Sequence, residues 1–140
     1  MADYIATART NYFRVTDEQK YQKLFKGLVS DNQLFDFTKE ENGIVFHAFG
    51  SYGWISYETG QDDGESNDGF DFFLEELQQI LPDDEAFVYQ EIGHEKLRYV
   101  TGGAVVVTSK VIKQLGLDTL VKDTIETLLG SGNTVSGCSY

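Results

Sequence analysis

Three observations predict an α+β fold with a mainly antiparallel sheet and helices packed on one face. Segments rich in aromatic and β-branched residues take turns along the chain with segments of 3.6-residue apolar periodicity. Asn42-Gly43, between two of the strand-like segments, is a tight-hairpin signal because both residue types tolerate positive φ. A length of 140 residues with 41% apolar content fits one domain able to bury its own core.

Each element follows from its own pattern. Residues 4–15, with aromatic and β-branched side chains in partial alternation, read as a first strand. Thr16, Asp17, Glu18 and Gln19 form a capping-box pattern, with Thr16 accepting from the third helical amide and Gln19 reaching back. Tyr21, Leu24, Phe25 and Leu28 then give one apolar stripe, with Lys20, Lys23 and Lys26 around it. Residues 34–37 and 44–49 are strands joined by Asn42-Gly43, and residues 51–57 (SYGWISY) extend the meander, with Gly50 and Gly53 allowing a bend. QDDGESNDG, residues 61–69, is polar, acidic and glycine-punctuated, hence a loop.

Helical spacing returns with Phe70, Phe73, Leu74, Leu77 and Leu81, capped by Asn67 or Asp68 and closed by Pro82. Glu75 and Glu76 fall off that stripe, toward solvent. Residues 86–92 and 97–108 form a second hairpin, turning through Gly93, His94, Glu95 and Lys96, with Gly102-Gly103 a bulge site. Residues 110–115 and 118–129 read as helical, with Gly116 as a break and Gly130 as the stop. The order of elements matches a ferredoxin-like variant, βαββαββα. Residues 1–130 make this single domain, and residues 131–140 form an aperiodic tail expected to be flexible.

Charge is the most unusual property of the chain. The formal net charge is -12, and residues 40–95 carry fifteen Asp and Glu without one Lys or Arg. Residues 1–39 and 96–140 are nearly neutral, so the whole excess arises in the middle. Direct binding to nucleic acid or an anionic membrane is disfavoured, since both need clustered cations. A basic protein is the expected partner. One Cys, Cys138, makes no internal disulfide, and the opening MADYIATART has no basic and apolar leader pattern. Cytoplasmic residence is the expectation, with no membrane span and no prenylation box.

Catalytic and metal motifs are weak. Asp63, Glu65 and Asn67 occupy positions 1, 3 and 5 of a calcium-loop pattern, but positions 6 and 12 hold Asp68 and Leu74, with Gly69 and Glu75 one residue late. Asp62, Asp63, Asp68 and Asp71 offer paired carboxylates, yet a glycine-rich loop does not fix a metal or shift a pKa. His47 and His94 are read as surface residues. No nucleophile elbow, Walker loop or dinucleotide fingerprint is present. No catalytic residue, metal ligand or cofactor is assigned, and a non-enzyme is expected.

The partner-binding candidates are Glu58, Asp62, Asp63, Glu65, Asp68, Asp71, Glu75 and Glu76. Tyr52 and Trp54 precede them, alternating with Tyr57 along one candidate strand face. Exposed, they are apolar anchors beside a field of carboxylates, a combination that suits an Arg-rich surface.

ARTNYFRVTDEQ (residues 8–19) and EKLRYVTGGAVVV (residues 95–107) resemble a group of small acidic proteins of phages and mobile elements. In charge and size the chain is also similar to anti-CRISPR and anti-restriction proteins that imitate DNA. These resemblances imply a non-catalytic inhibitor in the host bacterial cytoplasm. Its partner would be a nuclease or a CRISPR or restriction effector. Two other classes stay open: a toxin-immunity type module anchored by Tyr52 and Trp54, and a small enzyme.

Overall fold

The computed structural model describes residues 4–58, 69–96 and 99–136. The elements run β1 (Tyr4–Thr10), α1 (Glu18–Lys26), β2 (Leu28–Ser30), β3 (Gln33–Glu41), β4 (Ile44–Tyr52) and β5 (Ile55–Tyr57). They continue with α2 (Gly69–Gln78), β6 (Phe87–Glu95), β7 (Tyr99–Val107), β8 (Ile112–Gly116) and α3 (Leu117–Leu129). The fold is α+β. Six strands form one antiparallel sheet in the order β3-β4-β1-β6-β7-β8, and β2 and β5 pair separately.

The β3–β4 hairpin forms as its sequence dictates. Asn42 (φ 54°) and Gly43 (φ 78°) take the left-handed conformations of a two-residue turn, and Glu41 pairs with Ile44. α1 starts one residue later than the capping-box pattern implies. Asp17 is the N-cap, accepting from the Lys20 amide at 3.0 Å, while the Thr16 amide donates instead to the Ile80 carbonyl at 2.7 Å. The expected cap of α2, Asn67 or Asp68, lies outside the described residues.

The core is built from rings. Phe13, Tyr21, Phe49, Phe73 and Phe87 are fully buried. Phe13 meets Phe87 edge-on at 5.0 Å, and Phe49 meets Phe73 at 5.9 Å, geometries that set a positive ring edge against a negative face. Tyr21 and Leu24 of α1 and Phe73, Leu74 and Leu77 of α2 share one cluster with Ala8, Phe49, Phe87, Tyr89 and Val107 of the sheet. α3 adds no buried residue to it.

Three expectations are corrected. Residues 110–115 are not helical. The chain reverses at once after β7, the Thr108 amide donating to the Val111 carbonyl at 2.8 Å, and β8 pairs along β7 with Ile112 opposite Val107. Pairing satisfies the backbone groups of that segment and lets Ile112 pack against the core, which outweighs a helical local composition. Gly93, His94 and Glu95 are not a turn but the end of β6, because Glu95 pairs with Tyr99 and the connection is correspondingly short. Gly102 and Gly103 pair in unbroken register with Ile92 and Glu91, so they form no bulge against β6.

Candidate partner-binding surface

β4 ends at Tyr52, and Gly53 (φ 110°) turns the chain into β5, a backbone conformation that suits glycine alone. The Trp54 carbonyl accepts from the Asp31 amide at 3.0 Å, and Ser30 and Ser51 hydroxyls meet at 2.6 Å, which pins this corner to the end of β2. Tyr52 and Trp54 project from it, 54% and 55% exposed. Tyr52 leans edge-on against Phe35 at 5.5 Å.

Tyr57 does not share that exposure. Its ring packs on Phe72 at 5.6 Å and Phe73 at 5.7 Å, which sets the first turns of α2 beside β5. Burial raises the Tyr57 phenol above its ordinary pKa, and the Glu76 carboxylate adds to the shift. The three aromatics therefore divide into one half-buried ring packed on α2 and two exposed ones.

Glu58 follows β5 directly and is exposed, its amide donating to the Gly27 carbonyl at 2.8 Å. Asp71, in the first turn of α2, and Glu75, one turn later, are also exposed. Glu76 is half-buried, 3.7 Å from the Lys20 ammonium, and its carboxylate accepts from the Gln79 side-chain Nε2 at 3.1 Å. It is thus partly neutralised rather than directed freely to solvent. β5, about 10 Å long for three residues, links the Trp54 corner to Glu58 and the acidic start of α2. Asp62, Asp63, Glu65 and Asp68, with the calcium-loop positions Asp63, Glu65 and Asn67, lie outside the described residues.

The remaining acids of the tract do not join this surface. Glu40 and Glu41 stand at the far end of the β3–β4 hairpin. Asp84 and Glu85 bind Arg14 at 2.8 and 2.7 Å, and these hydrogen bonds raise the guanidinium pKa further. Asp83 accepts from the Ser109 hydroxyl at 2.9 Å. Glu91 accepts from the Tyr89 hydroxyl at 2.8 Å beside a cleft of about 300 Å³ between β6, β7 and β8. Glu95 is buried.

His47, read as a surface residue, is buried in β4, since its parity along the strand is that of the core residue Phe49. Its Nε2 lies 2.7 Å from Glu18 Oε2, which ties the first turn of α1 to the sheet. The ring sits 4.5 Å from that of Tyr21. Burial, followed by the Asp36 and Glu18 carboxylates, pushes the Tyr21 phenol well above its ordinary pKa, so it is a neutral hydroxyl and no nucleophile at neutral pH. Only a tertiary contact distinguishes this histidine, and nothing in the local sequence announces it. His94, by contrast, is exposed on β6.

Among the described residues, no group of three or more His, Cys, Asp or Glu is placed to hold a metal ion. No helix among them is long and apolar enough to cross a membrane. No protein-family model matches the chain, and no curated protein or solved structure matches it either.

Proposed function

We propose that the chain is a non-catalytic acidic inhibitor that masks the basic nucleic-acid-binding surface of a host defence protein. The partner is a nuclease or a CRISPR or restriction effector, and the mode is DNA mimicry in the bacterial cytoplasm. The observation that carries this reading is the run of residues 40–95, fifteen acids without one base. Such a concentration of like charge destabilises a compact chain and speeds encounter with an opposite surface. Exposure of Glu58, Asp71 and Glu75, with Tyr52 and Trp54 at the neighbouring corner, supports it. The loop acids Asp62, Asp63, Glu65 and Asp68 complete the proposed contact, and the protein itself binds neither nucleic acid nor membrane.

Changing those four loop acids to Asn or Gln tests the reading. Inhibition of the captured effector is expected to disappear while thermal stability stays level or rises, as self-repulsion falls. Full inhibition by the variant would sink charge mimicry. A second reading, a toxin-immunity type module, draws on the exposure of Tyr52 and Trp54. Salt-resistant binding lost in Trp54→Ala would favour it.

A ferredoxin-like variant remains the finer reading of the fold. Its support is the run β3-β4-β1-β6, in which β4 separates β1 from β3 and β1 separates β4 from β6. With α1 between β1 and β3 and α2 between β4 and β6, these are two split β-α-β units.

A further inference from the structure

α3 carries an apolar stripe that the described residues cover only in part. Leu117, Leu120, Val121 and Leu128 recur at the spacing of one helix face, and they are 46%, 52%, 47% and 76% exposed. Isolated helices of this length are marginal in water, and most helical stability in proteins comes from packing an amphipathic face. The chain supplies little of that packing. Leu117 is packed at the foot of the stripe, its Cδ2 lying 3.3 Å from where a Gly102 methyl would stand, beside Ile92, and Ile125 on the same face is half-buried.

That anchor lies on the face of the sheet turned away from the core. Ala8, Phe87 and Val107 point inward, so by alternation Ile5, Ile92 and Val100 point outward, and these are 56%, 65% and 50% exposed. The helix stripe and this sheet patch are therefore continuous through Leu117. A helix about 20 Å long and 10 Å across presents roughly 300 Å² on one side. A strip across β1, β6 and β7, spaced about 4.8 Å apart, adds a similar area. Together they approach the roughly 600 Å² per partner at which standard stable interfaces begin, the upper end of what monomers leave exposed in one patch.

Charge selects the occupant. The outward positions of β1, β6 and β7 hold no Asp or Glu, and residues 96–140, which include α3, hold five bases against three acids, so two copies meet here with little repulsion. Lys113 and Lys122 stand near Asp118 and Glu126 in sequence, so opposite charges are available to pair across a two-fold contact. We propose that the chain forms a two-fold dimer in which α3 of each copy lies across the outward sheet face of the other. The mass of the chain reads this dimer separately from inhibition, although Tyr52 shares the outward face with Ile92 across Thr7.

Light scattering on the full chain at about 100 μM, far above the micromolar constants of weak interfaces, tests it. The mass is expected near twice 15.8 kDa for the unaltered chain and near 15.8 kDa for Leu120→Asp/Leu128→Asp and for Ile92→Asp, with far-UV circular dichroism retained. A monomeric unaltered chain, or a dimer that survives both variants, overturns the proposal. If a variant loses its fold, amide exchange in residues 117–129 of the unaltered chain decides. Protection that rises with concentration supports the dimer, and protection independent of concentration overturns it.

Discussion

Replacing Tyr21 by Phe isolates one oxygen atom at the centre of the protein. The residue is 1% exposed, and its hydroxyl finds no hydrogen-bond partner among the described residues. A buried unpaired hydroxyl costs about 1–3 kcal/mol, so Tyr21→Phe should stabilise the fold at pH 7 by about 1 kcal/mol once the small lost volume is counted. For 140 residues that corresponds to a rise in Tm of about 3 °C. The ring contacts with Phe13 and His47 do not depend on the oxygen.

The same substitution has a second signature at high pH. The folded phenol has a raised pKa, because burial and the Asp36 and Glu18 charges oppose phenolate. An unfolded tyrosine loses its proton from about pH 10. Above that pH the unfolded chain binds fewer protons than the folded one, so this contribution to stability is complete below about pH 10 and is lost as pH rises. Urea titrations followed by circular dichroism at pH 7, 9 and 11 should show Tyr21→Phe gaining about a further 1.4 kcal/mol over the parent at pH 11. A variant less stable than the parent at pH 7 would mean that the hydroxyl is bonded. Parallel alkaline losses would mean that burial does not perturb the phenol.

Two further outcomes follow from the packing. Phe73→Ala empties a fully buried site that touches Phe49, Tyr57, Phe70 and Phe87, and it should cost about 3–5 kcal/mol in chemical denaturation. A loss below about 1 kcal/mol would place the ring outside the core. Asp17→Ala removes the α1 cap and should cost about 1 kcal/mol, whereas Thr16→Ala should cost less; the reverse order would restore the cap to Thr16.

What the sequence discloses about this protein is mostly what local physics decides. Asn42-Gly43 and its flanking strands are legible because a two-residue turn fixes the hairpin register by itself. The stripes of α1 and α2 are legible because burial of one face leaves a 3.6-residue period, as Tyr21, Leu24, Phe73, Leu74 and Leu77 show. β8 is not legible: Ile112 is half-buried and the next three residues are exposed, so an edge strand leaves no alternation to read. Its partner β7 supplies the reason for its shape, and that information is tertiary. His47 is hidden likewise, since only the arrival of Glu18 and Tyr21 distinguishes it from a surface histidine. For the candidate surface, composition locates the acids but not their partners. Arg14 and Lys20 reach Asp84, Glu85 and Glu76 across 56 residues or more, and so divide the tract into engaged acids and exposed ones.

We propose that charge on the acidic tract, rather than a shape-matched apolar contact, holds the partner. Capture of effectors from a bacterial lysate by the tagged full chain, compared at about 0.1 M and about 1 M salt, tests it directly because screening lengths fall from about 10 to 3 Å. A nucleic-acid-binding protein is expected to be retained at the lower salt, released at the higher, and absent when Asp62, Asp63, Glu65 and Asp68 are neutralised. A partner that stays bound at about 1 M salt and survives that neutralisation would contradict it.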